Sequence, residues 1–393
     1  MMFDALKEVF VPTINEQLSH LMPSGIRRFT QLAAKTPGCI PLTLGEPADA
    51  TADTIKAEVT QDLAADYTHY PPNRGYDFLR EAIAQFESSS LPQSLSRPEN
   101  VIVTAGATEA LAVACALMLN PGDEVVILSP AFSLYESLVV LNRGVVKRLD
   151  TAPSGFQVSY EALSSVVGPR CKAIVLCSPN NPSGSVLNSA SLDAIAAVAG
   201  EKDLFVVCDD VYAKLVYTPK YQRFSERHPE LADRTLVVGS FSKPYAMCGW
   251  RLGWLIGPGA LMEEAAKIHQ YYVSSVPAFV QHAAQVALKQ DVAPLVLQYQ
   301  EKRDLVAERL CAMHLLATTP DGAFYAFPCI REFDMSSEEF CERAIREAGV
   351  ALVPGVYFGA EHYVRLSFAC SKPVLTSGLE RLEHFVKSQR KVH

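Results

Sequence analysis

Between residues 101 and 238 the chain repeats one pattern: a short apolar run rich in β-branched residues, then a stretch of helix formers. No other feature restricts the fold as strongly. The runs at 101–103, 125–128, 145–149, 173–177, 205–208 and 236–238 have the length and composition of strands. Residues 109–119 and 192–199 have the composition of helices between them. Repeated units of this size imply a large, mostly parallel sheet with helices on both faces. In such a sheet ligands bind beyond the carboxyl ends of the strands. The polar residues just past those ends are therefore the candidates for function.

They make a coherent set. Thr104, Ala105, Gly106, Ala107 and Thr108 form a small-residue turn before a helix, where backbone N–H groups and the helix dipole suit an anion. The turn is neither GxGxxG nor a P-loop, so alone it is a weak signal. After 125–128 comes Phe132, an aromatic face; after 173–177 two prolines fix a loop that presents Asn181. Asp209, Asp210 and Tyr212 follow 205–208. An acid there is partly buried and needs a partner, which a protonated ring nitrogen or an arginine would supply.

Ser240, Ser242 and Lys243 follow 236–238, with Arg251 eight residues beyond the lysine, between Gly249 and Gly253. One amine, two hydroxyls and a guanidinium suit a phosphorylated aldehyde: the amine reacts, the others hold phosphate. A solvated lysine after a strand is the plain alternative. Taken together at one sheet edge, the set is hard to ascribe to packing.

The flanks read differently. Residues 41–47 form a short strand and loop in which Gly45 brings bare backbone near a ligand, or simply turns the chain. Tyr70 lies in a turn-rich loop, as an anion donor or as packing. Residues 292–316 read as a long helix leaving the sheet domain. Strands at 320–327 and 363–368 around a 336–347 helix suggest a smaller α+β domain. Arg365, among apolar strand residues, should face a carboxylate, whether of the protein or of a substrate. The expected division is an arm and part of the small domain at 1–45, a large domain at 46–290 and a small domain at 291–393.

Composition narrows the class. A net charge of −8 argues against a nucleic-acid surface. Ten cysteines without CxxC pairs suit a reducing cytoplasm, and nine histidines form no metal motif. We expect no signal peptide and no membrane span.

The motifs follow one another as Gly45-Glu46-Pro47, Tyr70 with Gly75, Gly106-Ala107-Thr108, Asn181-Pro182-Ser183-Gly184 and Asp209-Asp210-x-Tyr212. They continue with Ser240-x-Ser242-Lys243, Arg251-x-Gly253, Pro320-x-Gly322-x-Phe324-Tyr325 and Arg365-Leu366-Ser367-Phe368-Ala369. In order and spacing they resemble the class I pyridoxal-phosphate aminotransferases of fold type I, over nearly the whole chain. The resemblance implies pyridoxal 5′-phosphate as cofactor, with Lys243 bonded to it and then shuttling the substrate proton. It gives Asp209 to the ring nitrogen, Tyr212 and Asn181 to the phenolic oxygen, and Phe132 to the ring face. Ser240, Ser242, Arg251, Ala107 and Thr108 would bind phosphate, joined by Tyr70 from the neighbouring subunit of a homodimer. Arg365 would clamp the substrate carboxylate with help from Gly45 and Asn181. The implied reaction is a two-half, ping-pong exchange between an L-amino acid and a 2-oxo acid.

Substrate is less defined. Some aspartate-specific relatives place a lysine in the small turn, where Thr108 stands here. Residues 24–27 and 354–358 look more like the aromatic and N-acetyl-diaminopimelate branch. Phe10, Tyr271 and Phe358 are candidates for the side-chain pocket. Ser178 and Ser183 replace the commoner asparagine and threonine. The rival readings are a C–S β-lyase of the same fold and, further off, a cofactor-sensing regulator. The latter needs a DNA-binding segment, for which the residues before Pro41 are few and not basic.

Overall fold

The computed structural model describes residues 13–21 and 23–390. In chain order the strands are β1 (Ile40–Pro41), β2 (Val101–Thr104), β3 (Glu124–Ser129), β4 (Val145–Asp150), β5 (Cys171–Cys177) and β6 (Phe205–Asp209). Then follow β7 (Thr235–Ser240), β8 (Gly253–Ile256), β9 (Tyr325–Ala326), β10 (Val350–Ala351), β11 (Val353–Pro354) and β12 (Val364–Ser367). Seven of these form one sheet in the order β2-β8-β7-β6-β5-β3-β4.

The expected apolar runs all became strands of this sheet. β4, β3, β5, β6 and β7 pair in parallel, with Val175 opposite Val207 and Val207 opposite Leu236. β3 and β7 are buried at every position, which explains runs that are apolar throughout instead of alternating. One side packs Val101, Val126, Ile174, Val206, Val237 and Ile256 into a core. On the other, Val175, Val207 and Leu215 join Phe324, Tyr325 and Leu366 in a single apolar cluster.

One strand of this large sheet was not anticipated. β8 runs antiparallel between β7 and β2, with Ser240 opposite Gly253 and Gly239 opposite Trp254. Two glycines permit it: a Cβ on Gly239 would meet Trp254 at 2.0 Å, and one on Gly253 would sit 2.7 Å from Gly239 O. The strand returns the chain from Arg251 to the sheet.

Elsewhere a three-stranded antiparallel sheet, β11-β12-β9, is accompanied by a β1–β10 parallel pair. The long helix runs Ala293–Ala312, shorter than its pattern, because the chain turns at His314 with positive φ. The 336–347 helix becomes Ser337–Arg343 followed by a π turn at Ala344–Ala348. The 320–327 run is a strand only at Tyr325–Ala326, with an isolated bridge from Gly322 to Val216; Asp321 and Gly322 donate to Gly184 O and Ala323 to Leu215 O. The first two tie the segment before the small sheet's first strand to the loop that carries Asn181, and the third ties it to the segment after β6. Among the described residues no helix is long and apolar enough to cross a membrane, and no cluster of His, Cys, Asp and Glu could hold a metal.

Candidate active site

The carboxyl ends of β3, β5, β6 and β7 open on a cavity of about 230 Å³. Gly45, Ala107, Thr108, Phe132, Asn181, Asp209, Tyr212, Ser240, Ser242, Lys243, Arg251 and Arg365 all line it. Of the residues expected to hold the cofactor or clamp the substrate carboxylate, only Tyr70 lies elsewhere: it is 90% exposed.

One end of the cavity is built for an anion. Gly106, at φ +81°, ends the turn after β2, and the Ala107–Met118 helix starts with no side chain capping it. Its first N–H groups are therefore free for a ligand. Arg251 sits in left-handed backbone at φ 54°, with Nη1 on Cys248 O at 2.9 Å and Nη2 on Ala105 O at 3.4 Å. A Cβ on Gly106 would come 2.6 Å from Arg251 Nη2, so the turn and the guanidinium fit only because that glycine is bare. Ser240 Oγ accepts from Ser242 N at 3.0 Å, fixing the hydroxyl beside them.

The middle holds the amine and the acid. Lys243 Nζ donates to Gly45 O at 2.7 Å, and Cys248 Sγ lies 4.0 Å away. Asp209, at the end of β6, is buried; Tyr135 OH donates to its Oδ2 at 2.6 Å. Burial pushes the Asp209 carboxyl up to about 6, against the pull of Tyr135, Val211 N and Lys243. Its neighbour Asp210 is pushed up to about 7, again by burial, with Arg223 opposing. The Tyr212 and Tyr325 hydroxyls are 2.9 Å apart.

At the far end Arg365 is 1% exposed. Nη1 donates to Asn181 Oδ1 at 2.9 Å and Nη2 to Thr43 O at 2.6 Å, while Nε has no partner among the described residues. Tyr325 and Phe358 sandwich the guanidinium, with ring centroids at 4.6 and 4.9 Å. Burial lowers its pKa. Among the described residues no carboxylate pairs with it. The sequence left open whether its partner was a protein side chain; none of those described is in place. A buried cation with an orphaned N–H calls for an anionic ligand.

Sequence reasoning missed Tyr135 and Tyr325. Tyr325 ended a motif, but only the fold shows that its hydroxyl fills the space a Gly45 side chain would take: a Cβ there would lie 2.0 Å from the phenolic oxygen. Tyr135 stands three residues after Phe132 in the Leu134–Leu141 helix, a spacing that turns it toward the same cavity. Tyr271 is 87% exposed, Phe358 is buried against Arg365, and Phe10 lies outside the described residues.

A sheet with reactive groups at its carboxyl edge, an anion cradle, an amine and a carboxylate clamp defines an enzyme acting on small anionic substrates. Residues 37–382 match the model of the family Aminotransferase class I and II. The chain is 36% identical over 96% of its length to a Bacillus subtilis protein named "Probable N-acetyl-LL-diaminopimelate aminotransferase", covering 96% of that protein. It is 34% identical to aromatic-amino-acid aminotransferase 2 of Thermococcus litoralis, over 96% of this chain and all of that one. The crystal structure of aspartate aminotransferase from Thermotoga maritima superposes with a TM-score of 0.89 at 32% identity, over 95% of this chain and 100% of that one. The chain belongs to the class I and II aminotransferases and is an aminotransferase, EC 2.6.1.

The family implies pyridoxal 5′-phosphate, and the residues present fit it. At Gly106 and Gly253 added side chains would strike Arg251 and Ala107 N, so the bare backbone keeps the turn and the guanidinium together where an anion would sit. A lysine and a buried carboxylate stand in the same cavity.

Proposed function

We propose that this aminotransferase moves an amino group between an L-amino acid and a 2-oxo acid such as 2-oxoglutarate, in two half-reactions at one site. The donor is aromatic or drawn from a broad range, or is N-acetyl-LL-diaminopimelate. The carrying observation is Arg365: a buried guanidinium with two fixed hydrogen bonds, a free Nε and no carboxylate of its own among the described residues.

Ser240, Ser242, Arg251 and the backbone at Ala107 and Thr108 would hold the cofactor's phosphate, Phe132 its ring face, and Tyr212 and Asn181 its phenolic oxygen. Once bound there, the cofactor supplies an electron sink for bond breaking at the donor's α-carbon. Asp209 would meet the ring nitrogen and favour its protonated form. Arg365 holds the α-carboxylate by paired N–H groups, which turns the α-hydrogen toward Lys243. Lys243 Nζ, with Gly45 O as its neighbour, takes that proton from Cα as general base. Aromatic rings at Tyr325 and Phe358 exclude water around the clamp.

Two relatives carry aromatic and N-acetyl-LL-diaminopimelate names, and both readings come to this chain as proposals. Thr108 in the turn, without a lysine to read a distal carboxylate, weighs against dedicated aspartate use. The exposed Tyr70 is taken to serve the site of a second copy in a homodimer. The division at about residues 45 and 290 follows the same reading.

A donor screen with 2-oxoglutarate as acceptor tests this, following glutamate and the matching oxo acid. Phenylalanine, tyrosine, aspartate, methionine, N-acetyl-LL-diaminopimelate and cystathionine make the panel. Glutamate from an aromatic or the acetylated donor supports the reading; from aspartate alone, it overturns the substrate assignment. Pyruvate and ammonia without glutamate would move the chain to the C–S lyases.

A further inference from the structure

We propose that Tyr135 is a positioning residue for aminotransfer: its phenol, fixed on one oxygen of Asp209, keeps that carboxylate ionised and turned so that the other oxygen meets the cofactor. The inference rests on the reading that Asp209 faces the cofactor's ring nitrogen.

The geometry carries it. Tyr135 OH lies 2.6 Å from Asp209 Oδ2, while Oδ1 accepts, among the described residues, only from the Val211 N–H at 3.4 Å. One oxygen is therefore committed to a strong bond and the other is free for a ligand. The ring itself could be a phenylalanine. Tyr135 packs in an apolar cluster with Val175, Val207 and Leu138, and its edge meets Phe132 at a centroid distance of 6.1 Å. Those apolar neighbours do not use a hydroxyl; Asp209 accepts from it, and the buried Cys177 thiol is its other polar neighbour.

The chemistry sets the direction. A donor to a buried carboxylate stabilises the anion over the acid. Toward the carboxylate the phenol is the donor: burial and the neighbouring Asp209 raise its pKa well above normal, so it keeps its proton. The other ionisable groups around Asp209 are Cys177 on β5, Cys208 on β6, Asp210 and Tyr212 beyond it, and Lys243 after β7. Cys177, Cys208 and Tyr212 are all raised by burial and stay neutral, and Asp210 repels. Lys243 is the one cation in that group, and it is the residue that must react. Among the described residues Tyr135 is thus the sole neutral side chain that donates to Asp209 and takes no other part in the reaction.

The experiment compares the wild-type holoenzyme with Tyr135→Phe, Asp209→Asn and the double variant. Three quantities are read: cofactor dissociation constant, pH midpoint of the bound cofactor's visible absorbance, and kcat with KM. For Tyr135→Phe we expect a cofactor constant weaker by about tenfold and a pH midpoint displaced by about one unit, which corresponds to the same tenfold preference. The value of kcat should fall by about tenfold or more, with donor KM unchanged because Arg365 is intact. In the Asp209→Asn background, adding Tyr135→Phe should move neither the cofactor constant nor the pH midpoint further.

A merely structural tyrosine would lower stability without moving the pH midpoint, and would add its effect to that of Asp209→Asn; either result overturns the proposal. If Tyr135→Phe does not fold, Tyr135→His keeps a donor on the ring and should retain the wild-type midpoint; a displaced midpoint there counts against the proposal. The underlying reading fails separately. If Asp209→Asn itself keeps wild-type absorbance and turnover, Asp209 does not serve the cofactor at all. If that variant is crippled and Tyr135→Phe is inert, only the role of Tyr135 falls.

Discussion

Arg365 and Asn181 share a hydrogen bond inside the cavity, Nη1 to Oδ1 at 2.9 Å, between strand β12 and the loop after β5. The bond joins the group proposed to bind substrate carboxylate to one proposed to meet the cofactor. It also decides what each can offer. Asn181 has committed its amide oxygen, so it presents nitrogen and can only donate to a ligand. Arg365 has committed one edge to protein oxygens and keeps Nε for an incoming anion.

Arg365→Lys tests that arrangement. A lysine keeps the charge but loses the planar fork that bonds Asn181, Thr43 O and a carboxylate together. We expect KM for both amino donor and 2-oxo acid to rise, with kcat/KM falling about 100-fold, the scale of losing about 3 kcal/mol from a buried charge pair. The visible spectrum of the bound cofactor should be unchanged. Steady-state kinetics with each substrate varied in turn decide it; an unaltered KM would falsify the clamp.

Gly253→Ala should damage cofactor binding from a distance. The new methyl would meet Gly239 O at 2.7 Å and Ala107 N at 2.9 Å, both backbone atoms, so the small turn must shift off β7. The anion cradle depends on that turn. We expect cofactor affinity to drop at least tenfold and stability to fall by about 1–3 kcal/mol, as for other overpacked sites. Gly249→Ala is the control, since nothing lies within 4 Å of its added carbon. Cofactor titration of the two variants separates them.

The buried acids give the ligand-free protein a particular pH dependence. Asp209 rises from 3.8 to about 6 and Asp210 from 3.8 to about 7, both through burial. A carboxyl raised in the folded state keeps its proton where the unfolded chain has lost it. Folding is thus favoured at low pH, and stability from these groups declines as pH rises from about 4 to 7. For Asp209 alone the change is about 3 kcal/mol. Asp209→Asn, whose amide oxygen can still accept from Tyr135, should therefore raise the unfolding midpoint at pH 8 and leave it near wild type at pH 4.5. Equal effects at both pH values would contradict the assignment.

Much of this site was legible in the sequence because it sits at strand ends. Apolar runs fix where β5, β6 and β7 stop, and a side chain just beyond a parallel strand has nowhere to point but the carboxyl edge. Asn181, Asp209, Ser240 and Lys243 were readable for that reason. Tyr135 and Tyr325 were not, because each reaches the cavity through packing between elements distant in sequence: Tyr135 contacts Asp209, and Tyr325 contacts Tyr212 and the space beside Gly45. β8 was hidden because its antiparallel pairing depends on what Gly239 and Gly253 lack. Arg365 was visible as a cation in an apolar strand, but that no described carboxylate meets it is a fact of three dimensions.

Tyr70 offers the sharpest test of assembly. Its side chain is 90% exposed and stands outside the cavity, although its loop is tied down: Asn73 Nδ2 donates to Ser274 O, and His269 bridges Asn73 O and Glu109. A rigid loop with an aromatic hydroxyl projecting into solvent suits delivery to a second copy. If Tyr70 serves the neighbouring site, a Tyr70→Ala homodimer has two cofactor sites each lacking one phosphate ligand, and a Lys243→Ala homodimer has two sites lacking the reactive amine. Lys243→Ala should have no measurable turnover and lose the absorbance of lysine-bound cofactor. Tyr70→Ala should bind cofactor more weakly by about tenfold, the worth of one charge-assisted hydrogen bond. Unfolded and refolded together, the two chains form hybrids in which one site draws Lys243 from the first chain and Tyr70 from the second. That site is complete. At limiting cofactor the mixture should then exceed the summed activity of the two separate preparations. An activity equal to the sum means that Tyr70 and Lys243 of one chain serve the same site, or that Tyr70 serves none.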